Sequence, residues 1–225
     1  MVLIYRMISK ISNTASLEEI ESHLQSKFDY GQLYAPKSII NGMKEATVCL
    51  VTNEAPHHIQ YGIWGLLPEG YTDSWKSFQA IYNTLEIECE SLSPRTWPYD
   101  ALKYRRCLIL ATGFFTGEVV NNSMQSYYTS LRNNKIFCFA GIYNVLEDGF
   151  LSCGILSHSN KTPKAQLKHS QPVLIAQHNY NYYLSGHDVM ELILNGTFEL
   201  DPKEQVKQRV VDVNTTSYDE FNTYF

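Results

Sequence analysis

Residues 105–115 read RRCLILATGFF, and this stretch decides the fold. Cys107 to Ala111 are consecutive apolar residues, hemmed in by two arginines before and by Thr112-Gly113 after. A run that short and that evenly apolar reads as a strand covered on both faces. Similar runs lie on either side of it: ATVCLVT at 46–52, IQYGIWGLL at 59–67, QSYYTSL at 125–131, IFCFAGIY at 136–143, FLSCGIL at 150–156 and PVLIA at 172–176. Residues 1–11 alternate weakly and read as a first strand, and 85–92 and Val210–Val213 read as two more. Helical signals are fewer. Ser16 is placed to cap a helix running to about Phe28, with Glu18 and Glu19 at its positive end and Leu17, Ile20 and Leu24 at helical spacing. Short helices are expected at 76–85 and 186–195. The reading is an α+β protein, one compact domain over 1–225 with many short, strongly curved strands in barrel-like sheets and a few peripheral helices.

Composition bounds what such a domain does. With 225 residues, 44% of them hydrophobic, the chain can fill one core. A net charge of −5 excludes a strongly basic nucleic-acid binder on whole-chain charge, although a local basic patch stays open. No run of 18 apolar residues is present, so no membrane span is expected. The segment MVLIYRMISK lacks the features of a secretory signal. Cys49, Cys89, Cys107, Cys138 and Cys153 are widely spaced in apolar runs and form no CxxC pair. They are expected as buried free thiols in a reducing compartment, which places the protein in the cytoplasm.

Nucleotide-loop, nucleophile-elbow, zinc-protease and calcium-loop motifs are all missing, so neither a cofactor nor a metal is expected. His57 and His58 follow Pro56 and read as exposed loop residues. Tyrosines at 127–128 and 180–183 have the chemistry to stack on bases, but aromatic strands more often simply pack. Glu86, Glu88 and Glu90 stand at i, i+2 and i+4, which puts three carboxylates on one face of an extended chain, roughly 7 Å apart. A solvated edge, a hard-cation site and an acid/base site all fit that spacing.

In order and spacing, four motifs resemble the SRAP family, the SOS-response-associated peptidase or abasic-site-processing proteins. They are WGLLP at 64–68, RRCLILATGFF at 105–115, FAGIY at 139–143 and KHSQPVLI at 168–175, with Tyr34-Ala35-Pro36 ahead of them. The resemblance is strongest over 1–176 and weakest in the tail after about 203. It implies a compact α+β domain that binds single-stranded DNA at an abasic site. It also implies an N-terminal Cys whose amine and thiol condense with the sugar aldehyde to form a thiazolidine. In this chain Val2 stands at the Cys position and Ile4 at that of a nearby Arg. Glu86 and Glu88 stand where the family has Asn and Arg, while Glu90 matches a family Glu. Asn83 serves as the motif Asn only if the flanking match is disturbed. Thr116 replaces an acid/base carboxylate, and Lys168 takes the place of a His, with His169 one position away. The resemblance places Pro36, Trp64, Pro68, Tyr71, Glu88, Glu90, Arg105 and Arg106 at the DNA-binding cleft.

Losing a cation and gaining an anion at one phosphate contact weakens binding by about 2–4 kcal/mol. The expected function is therefore that of a catalytically degenerate member, binding through the former active-site cleft, with weak affinity for single-stranded or abasic DNA and a protein partner of unknown kind. Two alternatives stand beside it: a weakly active abasic-site binding protein or lyase, and a repurposed acidic or metal-binding site.

Overall fold

The computed structural model describes residues 8–120, 123–132, 135–160, 169–187, 189–198 and 200–210. Its strands in chain order are β1 (Lys10–Asn13), β2 (Lys27–Phe28), β3 (Lys37–Asn41), β4 (Thr47–Thr52), β5 (His58–Trp64), β6 (Glu86–Glu88) and β7 (Arg106–Ala111). They continue with β8 (Gly113–Val120), β9 (Ser123–Leu131), β10 (Phe137–Val145), β11 (Leu151–Asn160), β12 (His169–Pro172), β13 (Leu174–Ile175) and β14 (Gln205–Val210). The helices are α1 (Leu17–Leu24), α2 (Trp75–Gln79), α3 (Tyr99–Tyr104), α4 (Tyr180–Ser185) and α5 (Val189–Leu194).

Strand β7 lies between β4 and β10, antiparallel to both. From there the pairing runs on through β10 to β11 and through β4 to β5. Strands β11 and β5 then pair in parallel, from Leu151 opposite Gly62 to Cys153 opposite Trp64, and the five strands close into a barrel. Closure removes the edges that an open sheet would expose. All six residues of β7 are buried, which is why its sequence does not alternate. Cys107, Ile109 and Ala111 pack in one core cluster, with Phe139 and Ile155; Leu108 and Leu110 pack in the other, with Ile20 of α1 and Tyr183 of α4.

A second sheet runs in the order β14-β9-β8-β1-β3. Only Thr112 separates barrel strand β7 from β8, so the chain passes directly from one sheet to the other. Phe114 on β8 meets Phe137 and Phe139 of the barrel edge-on, at centroid distances of 6.2 and 5.6 Å. Gly113 has to be glycine. Tyr128 crosses it to share a 2.7 Å hydrogen bond with Ser12, and a Cβ on Gly113 would lie 2.1 Å from the phenol oxygen.

Several elements depart from the sequence reading. Helix α1 starts as expected, in a capping box between Ser16 and Glu19, but ends at Leu24, where Gln25 turns left-handed at φ 53°. The helix expected at 186–195 is present as the shorter α5, and α4 precedes it in a stretch where no helix was expected. The tail strand lies at Gln205–Val210, and Val211 to Val213 fall outside the described residues. Most consequential for the acidic face, the strand expected over 85–92 spans only Glu86–Glu88. Cys89–Ser91 form a 3₁₀ turn, in which the Ser91 hydroxyl donates to the Glu88 carbonyl at 2.7 Å and Leu92 N–H bonds Cys89 O. The local hydroxyl takes a carbonyl that strand pairing would otherwise use, and Glu90 leaves the face.

Candidate functional site

Ile87 is buried, and the alternation of a strand sends Glu86 and Glu88 to the opposite side of β6. Pairing in parallel with β11, Ile155 opposite Glu86, holds β6 in place. The Glu86 carboxylate then joins three stretches of chain. Its Oε2 accepts a 2.8 Å hydrogen bond from the backbone N–H of Ile8, just ahead of β1. Its Oε1 accepts from the hydroxyl of Ser170, on β12. The Ser157 hydroxyl, on β11, sits within electrostatic reach but lacks the geometry of a full hydrogen bond.

These surroundings pull the Glu86 pKa in opposite directions. Burial pushes it up and dominates. The Ile8 N–H, then Ser170, then Ser157 pull it down, while the Glu88 charge adds a smaller push upward. The net result is a carboxyl raised above its ordinary value. Among the described residues neither Glu86 nor Glu88 forms a salt bridge. A carboxyl in this setting is able to hold a backbone amide and exchange a proton nearer neutrality. The nitrogen it contacts among the described residues is an amide, and the hydroxyl it contacts is that of Ser170.

The other sequence-derived candidates separate clearly. Lys10 pairs with Phe115, so Ser9 and Thr116 are the next residues along β1 and β8, close to the position of Ile8. Among the described residues no hydrogen bond joins the Thr116 side chain to Glu86. Val2, Ile4 and Lys168 lie outside the described residues, and His169 opens β12 opposite Asn160. Pro36 is exposed, just ahead of β3. Pro68 is partly buried, and Tyr71, three residues on, packs edge-on against Phe78 at 5.3 Å.

Three cleft candidates belong to the scaffold instead. Trp64 is fully buried: its indole donates to Leu85 O at 3.0 Å, and a Cβ on Gly42 would lie 2.7 Å from its ring. Gly65 follows at φ +114°, a conformation that favours glycine, and the Trp75 indole reaches back to Trp64 O at 2.9 Å. Arg106 is only 7% exposed and spends its guanidinium on the carbonyls of Leu102, Lys103, Tyr183, Leu184 and Gly186. It fastens α3 and α4 to β7 and has no donor left for a phosphate. Arg105 bonds Asn144 at 2.9 Å and Glu69 at 3.2 Å; Asn144 in turn donates to Leu67 O, so the pair braces the WGLLP loop. Glu90 is exposed on the 3₁₀ turn.

Sequence reasoning missed Ile8, Ser157 and Ser170. Ile8 contributes only its main chain, which no side-chain motif reveals. Ser157 follows the strand read at 150–156 and Ser170 lies in the KHSQPVLI motif ahead of the strand read at 172–176, and nothing in their spacing marks them as facing Glu86. No group of three His, Cys, Asp or Glu side chains among the described residues is arranged to hold a metal ion. No helix among them is long and apolar enough to cross a membrane.

Residues 7–216, which span the barrel and its second sheet, match the family described as SOS response associated peptidase, or SRAP. The chain belongs to the SRAP family. A relative from Saccharomyces cerevisiae named as an abasic site processing protein is 28% identical over 89 residues, covering 40% of this chain. The matched region spans about a quarter, 24%, of that relative's length. Solved structures share the SRAP-family fold. A protein from Bacteroides thetaiotaomicron superposes with a TM-score of 0.74 at 17% identity, covering 90% of this chain and 92% of its own. One from Bordetella bronchiseptica gives 0.72 at 13% identity, covering 90% and 99%. A phage-related protein from the same organism gives 0.63 at 13% identity, covering 91% and 94%.

Proposed function

We propose that this chain is a catalytically degenerate SRAP protein that binds through the former active-site cleft and makes no thiazolidine crosslink. One observation carries the reading: the nitrogen held by Glu86 is the amide of Ile8. The family match covers residues 7–216, and our reading takes Met7-Ile8 as the counterpart of the family's Met-Cys start. Lys10 then follows at the spacing of the nearby Arg. On this alignment the six residues before Met7 precede the family's start, and Ile8 replaces Val2 as the counterpart of the Cys.

Both reactive groups are then missing. The lone pair of an amide nitrogen is delocalised into its carbonyl and does not add to an aldehyde. Isoleucine has no sulfur to close a ring on an imine. Thr116, in place of a carboxylate, moves no proton near neutral pH. Glu86 and Glu88 supply negative charge where a DNA phosphate would need positive charge. Single-stranded or abasic DNA is the ligand proposed for the cleft, at weak affinity, within one domain spanning 1–225. Five buried cysteines, none of them in a disulfide, support a place in the cytoplasm.

Fluorescence anisotropy with labelled single-stranded oligonucleotides, intact and abasic, tests the binding side of this reading at physiological salt. Weak binding that falls steeply with salt and does not distinguish the two strands is expected. Sub-micromolar, abasic-selective binding would overturn it.

A further inference from the structure

Three large apolar side chains that stay exposed gather at one mouth. Tyr30, Leu33 and Phe150 are 59%, 68% and 62% exposed, and all three line a cavity of about 690 Å³ that does not include Glu86. Scattered apolar residues are ordinary on a protein surface, but a cluster beside a hollow marks a place where something docks.

Both parts of this surface are held rigid. Phe150 ends the tight turn between β10 and β11. Leu146 N–H bonds Phe150 O at 2.8 Å, Gly149 N–H bonds Leu146 O at 3.0 Å, and Phe150 N–H bonds the Asp148 carboxylate at 3.0 Å. The ring is therefore presented to solvent by a fixed backbone, which lowers the cost of ordering it on association. Inside the cavity, Ile40, Cys49 and Leu151 supply apolar wall. The Tyr34 and Tyr61 hydroxyls of the same wall already bond Ala15 O at 2.7 Å and Tyr30 O at 3.2 Å. Tyrosines satisfied from within the chain leave a wall that suits a hydrocarbon ring better than a polar ligand.

Charge points to the occupant. Lys37, at the start of β3, and Asp148 both line this mouth, and among the described residues neither forms a salt bridge. Asp29, the other charged residue of the lining, is already paired with His58 at 2.6 Å. A projecting ring beside a hollow, with one cation and one anion on the same patch, is a surface complementary to itself under a two-fold rotation.

We propose that this face joins two copies of the chain in an isologous dimer. Phe150 of each copy enters the other's cavity, and each Lys37 meets the partner's Asp148. The exposed apolar area is modest, so the dimer is expected to form in the micromolar range and to dissociate on dilution.

Sedimentation velocity of the full chain from about 5 to about 500 µM reads this association directly, as a rise from the mass of one chain to that of two. Phe150→Ser, at an exposed position, should weaken association at least about tenfold and leave the unfolding midpoint unchanged. Lys37→Glu and Asp148→Lys each set like charges against one another and should each weaken association as well. An equimolar mixture of these two variants restores an opposite-charge pair at both contacts and should associate more tightly than either variant alone. A chain still monomeric at about 500 µM would overturn the proposal. So would a dimer that Phe150→Ser leaves intact, or charge variants whose mixture associates no better than each alone. Ile8 and Glu86 lie outside this patch, so the dimer and the loss of abasic crosslinking fail separately.

Discussion

Ile8 and Glu86, 78 positions apart in sequence, are joined by a 2.8 Å hydrogen bond from main-chain N–H to carboxylate. The contact ties the start of the second sheet to a strand on the barrel's flank; on the proposed alignment it holds an amide where the family's chemistry would need a free amine. On the proposed reading, that exchange of one nitrogen for another, amide for amine, would separate a binding protein from a crosslinking one.

Glu86 makes stability depend on pH, with a definite sign. Burial raises its folded pKa above the unfolded value, so its favourable contribution is complete below the unfolded pKa and is lost as pH rises through the folded one. Glu86→Gln keeps an acceptor for the Ile8 N–H and carries no charge. Thermal melts from pH 4 to 8 should show the two proteins close together at pH 4, with the variant the more stable at pH 7. Parallel curves across that range would contradict the assignment.

Arg106 tests how much of the resemblance to a DNA-contacting motif is scaffold. Arg106→Ala leaves several buried carbonyls without donors and should cost about 3 kcal/mol or more in urea unfolding. The wild-type protein's affinity for single strands, by contrast, should not depend on this guanidinium. A folded Arg106→Ala protein of unchanged stability but weaker DNA binding would reverse the conclusion.

Thiol reactivity follows from burial. All five cysteines are buried, and loss of solvation pushes Cys49 and Cys138 up to about 12. Cys107 and Cys153 are raised as well. Iodoacetamide at pH 8 should modify none of the five in the folded protein and all of them in urea, as read by intact mass. Rapid labelling of a single site in the folded state would be the contrary result.

The sequence made the barrel legible where both faces of a strand are buried, because Cys107–Ala111 allows no other reading of comparable economy. Ser16 and Glu19 announced the start of α1 in the same way, through local hydrogen bonds that need no tertiary partner. The end of β6 was hidden, since alternation at 86, 88 and 90 does not register the Ser91 hydroxyl that turns the chain. Trp64 and Arg106 show a different limit. A motif preserves residue type, while only packing decides whether an indole or a guanidinium faces solvent or the core. At the site, Glu86 was visible as a carboxylate on an alternating strand. Ile8 was not, because an apolar residue among MVLIYRMISK offers no chemical signal and acts here through its backbone.

Whether Ile8 or Val2 is the counterpart of the family's Cys is open to a direct comparison. Full-length Val2→Cys should form no heat-stable adduct with abasic DNA. A chain beginning at Met7 with Ile8→Cys, once Met7 is removed, presents an amine and a thiol together beside Glu86 and should form a faint one. An adduct from the first protein and none from the second would move the alignment back to Val2.

The central claim is the loss of covalent chemistry, and a denaturing gel tests it most directly. The unmodified protein is incubated with a labelled abasic single-stranded oligonucleotide, with and without borohydride, then heated before loading. The account predicts no shifted, heat-stable band, at most a trace trapped by borohydride, and no strand cleavage above background. A heat-stable adduct formed without borohydride would contradict it.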